Sequence, residues 1–379
     1  MFATLVGAYP RTPLPGQVFR LRAAHARLER GEINPAAYRA VQDELVREVM
    51  AEQLDAGLAL LTDGQVRWDD PQTAITGGLR GFETTGLLRY FDTNTYYRQP
   101  RAVETPRWEA SVTVADWTFA HETAISLAER RGVAVPPVKQ CVVGPYTLGR
   151  LSDPGQVGHE RLVLALAEAL NEELHALHAA GVPVIQLDEH ALTLIRTDDE
   201  AERRLAADAL RRVGEGLEDA HLCLAVTMGT AVGVGASALF DLPFRSYLFD
   251  LVAGPDNWAL IASAPHDREI VCGVADARNT RPDEEHAMVR AALDAAATSV
   301  RGLDRVALSP STGLEYLPRD RAKAKVEALA QAARTAASTD PDELARATGA
   351  LAVEGRSARP GRHAPPPERP AAAADRSRT

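Results

Sequence analysis

Short, uncharged, β-branched runs alternate with long amphipathic stretches along most of this 379-residue chain, and that alternation most narrows its fold. Strand-like runs joined by helix-length segments build a parallel sheet with helical crossovers. The candidate strands are Ala3–Val6, Leu58–Thr62, Val138–Val143, Val184–Leu187, Leu222–Thr227, Tyr247–Leu251, Ile270–Val274 and Val306–Leu308. That set matches the strand number of a closed (β/α)8 TIM barrel, an α/β fold. The clearest helix is Pro35–Ala56, where Asn34 can cap, Pro35 can occupy the first turn and Gly57 can end it. Further helices are expected over Glu160–Ala180, Asp198–Gly214, Asp283–Ala297 and Pro318–Ala337.

The stretch at about 72–136 is too long for an ordinary connection. It holds the aromatic and Thr-rich segment Arg89–Arg98 and then Trp108–Val114, which predicts an inserted, hairpin-like excursion over one mouth of the barrel. The expected division is a barrel over residues 1–340, then a short helix and a Pro/Ala/Arg-rich tail over 341–379. From about Glu354 the tail has no periodicity and reads as disordered and solvated.

Composition then excludes several classes. A net charge of -10, 5% aromatic residues and no basic stripe before the tail argue against nucleic-acid binding. No apolar run reaches membrane-spanning length, and the start, MFATLVGAYPRTP, lacks the basic region and cleavage site of a leader. Cys141, Cys223 and Cys272 are far apart with no CxxC pattern, as suits buried thiols in a reducing cytoplasm. A small-molecule substrate is the remaining kind of partner, and the sequence carries no reading of oligomeric state.

The segment Val182–Leu192 is the most informative about chemistry. Its buried-strand run ends abruptly in Asp188 and Glu189, followed by His190. Burying a carboxylate is costly, so acids placed where a core strand surfaces tend to face a ligand.

The run resembles the "IQ-[ILF]-DEPAL" signature of the cobalamin-independent methionine synthase family, and five other patches follow the same order. Leu5–Thr12 looks like "IGSFPRT", Thr62–Asp70 like "xxGExxRxDM" and Val143–Leu148 like "TGPxT[ILM]". Gly273–Arg278 stands in place of "GxxDxHS", and Ser309–Glu315 in place of "NPDCGL". The likeness is to the catalytic C-terminal barrel and covers about Phe2 to Ala337. It implies a one-carbon transferase in which zinc binds the homocysteine thiol and a methylfolate donates the methyl group.

The chain departs from that pattern at the metal. The resemblance places Ala225 on the zinc-binding His, Thr227 and Thr312 on the two Cys, and Asp250 on the Glu. His221-Leu222-Cys223 does offer a His-x-Cys pair, but four residues earlier, roughly 13 Å back along an extended strand. With Ala, Thr, Asp and Thr in the ligand positions, zinc is not expected.

The substrate positions are mixed. Asp188 matches the residue that binds the homocysteine amino group, Gln65 replaces its acidic companion, and Ala8 replaces a Ser near the carboxylate. Arg278, after Asp276, replaces the His that protonates the leaving folate nitrogen. It suggests a more anionic ligand, because arginine clamps carboxylate or phosphate but donates protons poorly. Asp188, Glu189, Asp276 and Arg278 are the candidate catalytic residues. Ala8, Tyr9, Gln65, Arg67, Asp69, Thr227, Asp250 and Thr312 are the candidate binding residues.

Three readings stay open. One is a zinc-independent methyl- or alkyltransferase acting on a non-homocysteine acceptor, with Asp188 or Glu189 as base. Another is a metal-free lyase like uroporphyrinogen decarboxylase, resting on Asp276 and Arg278. The last is a non-catalytic ligand-binding homologue. Methylfolate enters as cofactor only through the resemblance.

Overall fold

The computed structural model describes residues 1–348. The elements run in the order β1 (Phe2–Ala3), α1 (Arg20–Glu29), α2 (Pro35–Ala56), α3 (Pro71–Thr76), β2 (Leu79–Arg89), β3 (Tyr96–Trp108) and α4 (Val114–Arg131). Then follow β4 (Gln140–Val143), α5 (Pro145–Leu151), α6 (His159–Ala179), β5 (Ile185–Asp188), α7 (Glu200–Val213), β6 (Leu222–Val226), α8 (Ala236–Phe240) and β7 (Ser246–Asp250). The chain continues through α9 (Asn257–Ser263), β8 (Glu269–Ala275), α10 (Glu285–Ala297), β9 (Val306–Pro310), α11 (Arg319–Ala336) and α12 (Pro341–Ala347). The tail expected after α12 lies outside the described residues.

A seven-stranded sheet has the order β1-β9-β8-β7-β6-β5-β4, with every pair parallel, and it curls into a TIM-like barrel. Its two edges meet across the segment expected as the second strand. There Leu60 bridges Thr4 on one side and Leu61 bridges Val138 on the other, both parallel. The segment stops short of a full strand because the Gln53 side chain takes over Thr62, donating to its carbonyl at 2.9 Å and accepting from its N–H at 3.0 Å.

Strand alternation sorts the residues. Leu222, Leu224 and Val226 on β6 face the helices, whereas Cys223 and Ala225 join Val6, Leu248, Val271 and Ala307 in a small cluster inside the sheet. On β5, Ile185 and Leu187 likewise belong to the outer core, so Gln186 and Asp188 point inward. Helix α2 forms as its sequence predicts: Asn34 accepts from the Ala37 N–H at 2.8 Å, and Gly57 ends the helix at φ +90°, a left-handed value that suits glycine.

The insertion is an antiparallel β2–β3 hairpin between α3 and α4. Its return is fixed by the buried Glu173 of α6, which accepts from the Trp108 indole, the Val112 and Thr113 N–H groups and the Thr113 hydroxyl at 2.7–2.8 Å. The tip reaches the carboxyl end of the sheet, where the Phe91 ring lies edge-on to His190 at 6.4 Å.

Candidate functional site

At the carboxyl ends of the strands a small cavity is lined by Ala8, Gln65, Asp188, His190, Thr312 and Glu315, with Tyr90 and Tyr316 closing it. This is where a parallel barrel places its chemistry, because loops after successive strands converge there. Of the expected site residues, Ala8, Gln65, Asp188 and Thr312 are brought together. The Ala8 carbonyl accepts from the Leu314 N–H at 2.9 Å, which fixes that wall.

Asp188 is the buried acid of this cavity. Its Oδ1 accepts from Gln186 Nε2 at 2.6 Å, and the Gln65 amide lines the same cavity. Desolvation pushes its pKa up to about 7, opposed by those amides and by the Lys139 ammonium. Gln65 is held at φ +51°, a strained left-handed value, by a turn in which its N–H donates to Asp63 Oδ1 at 2.9 Å.

Behind the cavity wall, Thr227 Oγ1 lies 3.0 Å from His190 Nδ1 and 3.1 Å from Thr312 Oγ1. Burial lowers the His190 pKa to about 4, so the imidazole is neutral at pH 7. His190 and Glu315 are the residues that sequence reasoning missed as site members. Both stood inside quoted motifs, His190 where the family pattern has Pro and Glu315 just after "CGL". Glu315 is accessible, but through the cavities whose walls desolvate it and push its pKa up to about 7.

The other candidates are engaged elsewhere. Glu189 is fully buried, and its two oxygens accept from the Tyr146 N–H at 3.0 Å, the Thr147 N–H at 2.8 Å and the Thr147 hydroxyl at 2.6 Å. It seats the first turn of α5, and both oxygens are occupied, which corrects its expected role as a base. Asp250 is spent in the same way on the N–H groups of Met228, Val252 and Ala253, at 2.8–3.1 Å. The Tyr9 hydroxyl donates to Glu52 at 2.9 Å, pointing into the helical layer. Arg67 pairs with Asp43 at 2.5 Å and Asp116 at 2.7 Å and stacks over Phe119 at 4.2 Å, tying α2 to α4.

Asp276 and Arg278 do not enter the cavity. Asp276 Oδ1 accepts from the Arg278 N–H at 2.9 Å, and the Arg278 guanidinium pairs with Asp92 on the hairpin tip at 2.8 Å. No lysine or arginine lines the small cavity among the described residues, so its electrostatic character is acidic rather than anion-binding.

A larger groove of about 620 Å³ adjoins the cavity, sharing Tyr90, Glu315 and Tyr316 with it. Tyr38, Tyr96 and Tyr97 supply aromatic faces, Arg11, Arg22 and Arg98 supply positive charge, and Asp69 sits on its rim. Aromatic faces of this kind can stack planar rings and guanidinium groups can pair with carboxylates, though Asp70 and Glu315 add negative charge to the same lining.

The residues that the resemblance puts in the zinc-ligand positions do not fit the metal. Thr227 and Thr312 bond each other, Asp250 holds a backbone turn, and Ala225 has no donor. His221 and Cys223 lie at the opposite end of the barrel, His221 3.8 Å from Glu269 and 2.9 Å from Ser246, both at the starts of their strands. Among the described residues, no group of three His, Cys, Asp or Glu side chains could hold a metal ion.

The sequence profile described as cobalamin-independent synthase, N-terminal domain, matches residues 69–298. It describes the N-terminal domain, whereas the sequence motifs resemble the catalytic C-terminal barrel. Methionine synthase of Saccharolobus islandicus is 25% identical over 335 residues, covering 86% of this chain and 92% of the relative. That of Sulfurisphaera tokodaii is 26% identical over 322 residues, covering 83% and 86%. In fold, the chain is similar to the B12-independent methionine synthase from Shewanella sp. W3-18-1 in complex with selenomethionine, with a TM-score of 0.70 and 18% identity over 88% of this chain and 96% of the other. A methyltransferase from Methanosarcina mazei superposes with a TM-score of 0.56 and 14% identity, covering 88% and 95%.

Proposed function

The chain belongs to the cobalamin-independent methionine synthase family, and from that premise we propose that it methylates or alkylates a nitrogen acceptor without zinc. The carrying observation is the acidic cavity, where Asp188 and Glu315 face the ligand space and no cation lines it. An amine or hydroxylamine that enters protonated is held by Asp188. With its pKa near 7, Asp188 then takes the proton that frees the nitrogen lone pair.

The donor belongs in the groove, whose tyrosines and arginines suit the rings and carboxylates of a methylfolate. Transfer forms one N–CH3 bond and breaks the donor's. Glu315 lines both spaces and has a pKa near 7, so it is the acid that protonates the departing donor nitrogen. A nitrogen nucleophile needs no metal-bound thiolate, which accords with Thr227 and Thr312 in the ligand positions. The lyase reading loses its support because Arg278 is paired with Asp92 outside the cavity.

The barrel-plus-tail division is retained with this reading, the barrel spanning residues 1–340. The site is one for small molecules, and no described helix is long and apolar enough to cross a membrane. Three buried free cysteines fit a cytoplasmic location.

The test is a calorimetric panel of small amines, hydroxylamines and dicarboxylates, run with metal-free protein and with methylfolate present. Saturable binding of the nitrogen compounds, lost in Asp188→Asn, and a methylated product by mass spectrometry are expected. Preference for dicarboxylates, or turnover of homocysteine only after zinc is added, would overturn the reading.

A further inference from the structure

A column of three buried polar side chains runs up the inside of the sheet beneath the cavity. Lys139, just before β4, is 4% exposed, and its Nζ donates to Gln186 Oε1 and to the Leu5 carbonyl, each at 2.6 Å. Gln186, fully buried on β5, donates through Nε2 to the Val6 carbonyl at 2.7 Å and to Asp188 Oδ1 at 2.6 Å. Gln186 and Asp188 are two residues apart on one strand, so both point inward and stack in successive layers.

This geometry leaves the amide no freedom. Two acceptors, Val6 O and Asp188 Oδ1, demand its N–H groups, and the ammonium demands its oxygen. Lys139 itself touches no carboxylate. An ammonium buried without a charged partner is strongly disfavoured, so its compensating charge has to come through the amide. Asp188 is the acid at the other end of that amide.

We propose that Lys139 is a positioning residue for Asp188, acting through Gln186 to hold one carboxylate oxygen inward and to keep the group ionised for a cationic ligand. The column would offset the burial that raises the Asp188 carboxyl in a cavity walled by Tyr90, Tyr316, His190 and the second acid Glu315. The other titratable groups around Asp188 are Cys141, Cys223 and Glu189 from the neighbouring strands and their ends. None of these carries a positive charge, which leaves Lys139 as the cation facing Asp188 from within the barrel.

The proposal rests on the reading of Asp188 as the ligand-facing acid, and its test needs no ligand. The Asp188 carboxyl is titrated by carbon-detected NMR in ligand-free, aspartate-labelled protein, with Asp188→Asn assigning the signal. In Lys139→Gln, which keeps a hydrogen-bond donor and removes the charge, the midpoint is expected to rise by about one pH unit. Gln186→Met, which leaves the ammonium but cuts the bridge, should release Oδ1 and broaden or shift the same signal. It decides the matter if Lys139→Gln does not fold. An unchanged Asp188 midpoint in a folded Lys139→Gln, or an unchanged signal in Gln186→Met, overturns the inference. Coupling without any nitrogen-ligand binding would sink the proposed function and leave this relationship standing. Nitrogen-ligand binding without coupling would do the reverse.

Discussion

Thr227 Oγ1 and Thr312 Oγ1 lie 3.1 Å apart, and Thr227 also meets His190 Nδ1 at 3.0 Å. Two buried hydroxyls in mutual contact satisfy each other without an ion between them. Thr227→Val leaves His190 and Thr312 short of a partner and should cost about 1–3 kcal/mol in urea unfolding. If the zinc-free reading holds, chelator treatment should leave the melting temperature unchanged. A drop of several degrees on chelation would show a structural ion.

Asp188 gives the protein a signed pH dependence. Its carboxyl is raised from 3.8 to about 7 by burial, so between those values the folded state holds a proton that the unfolded chain has lost. Its contribution to stability is therefore fully present below about pH 4 and is lost as pH rises through about 7. Asp188→Asn has no such proton, so the stability of the variant relative to the natural chain should improve across that window. Binding of a nitrogen ligand should move the opposite way, strengthening in the natural chain as Asp188 ionises near pH 7. Parallel melting and binding titrations at pH 5 and pH 8 check both signs.

Glu189 should behave unlike its neighbour. Glu189→Gln keeps the size but turns an N–H pair toward donors that the carboxylate accepted from. A loss of about 2–3 kcal/mol in unfolding free energy is expected. Ligand affinity per folded molecule should stay within about twofold, since an effect below ~0.4 kcal/mol is what a group outside the cavity gives. A large affinity loss in a stable variant would return Glu189 to the site.

The Arg278–Asp92 pair ties the hairpin tip to the end of β8 at 2.8 Å, with both side chains partly in solvent. Arg278→Ala should therefore change global stability by less than about 1 kcal/mol. Amide exchange over 90–95 should rise, because the tip loses its contact with the sheet. Unchanged exchange there would mean that Tyr90 and Phe91 hold the tip by packing alone.

Much of the architecture was legible because it is local. Six of the eight expected strands lie where their β-branched runs predict, and Asn34, Pro35 and Gly57 delimit α2 as their backbone preferences require. The first, expected over Ala3–Val6, is cut to Phe2–Ala3, and the second, Leu58–Thr62, is shortened by Gln53, a residue on a different element whose amide competes for the Thr62 backbone. Asp188 as a strand-end acid was legible too, since the cost of burying a carboxylate can be read from its surroundings in the chain.

What the sequence could not decide is which polar atoms are already taken. Adjacent residues leave a strand in different directions, so Asp188 faces the cavity while Glu189 meets the Tyr146 and Thr147 N–H groups. Arg278 finds Asp92, 186 positions away, and Lys139 reaches Asp188 through an amide on the next strand. By itself the sequence determined the order of strands and helices and the places where charge would be costly. Only the tertiary structure decided which charges face a ligand, because a hydrogen bond is settled by distances of about 3 Å between groups far apart along the chain.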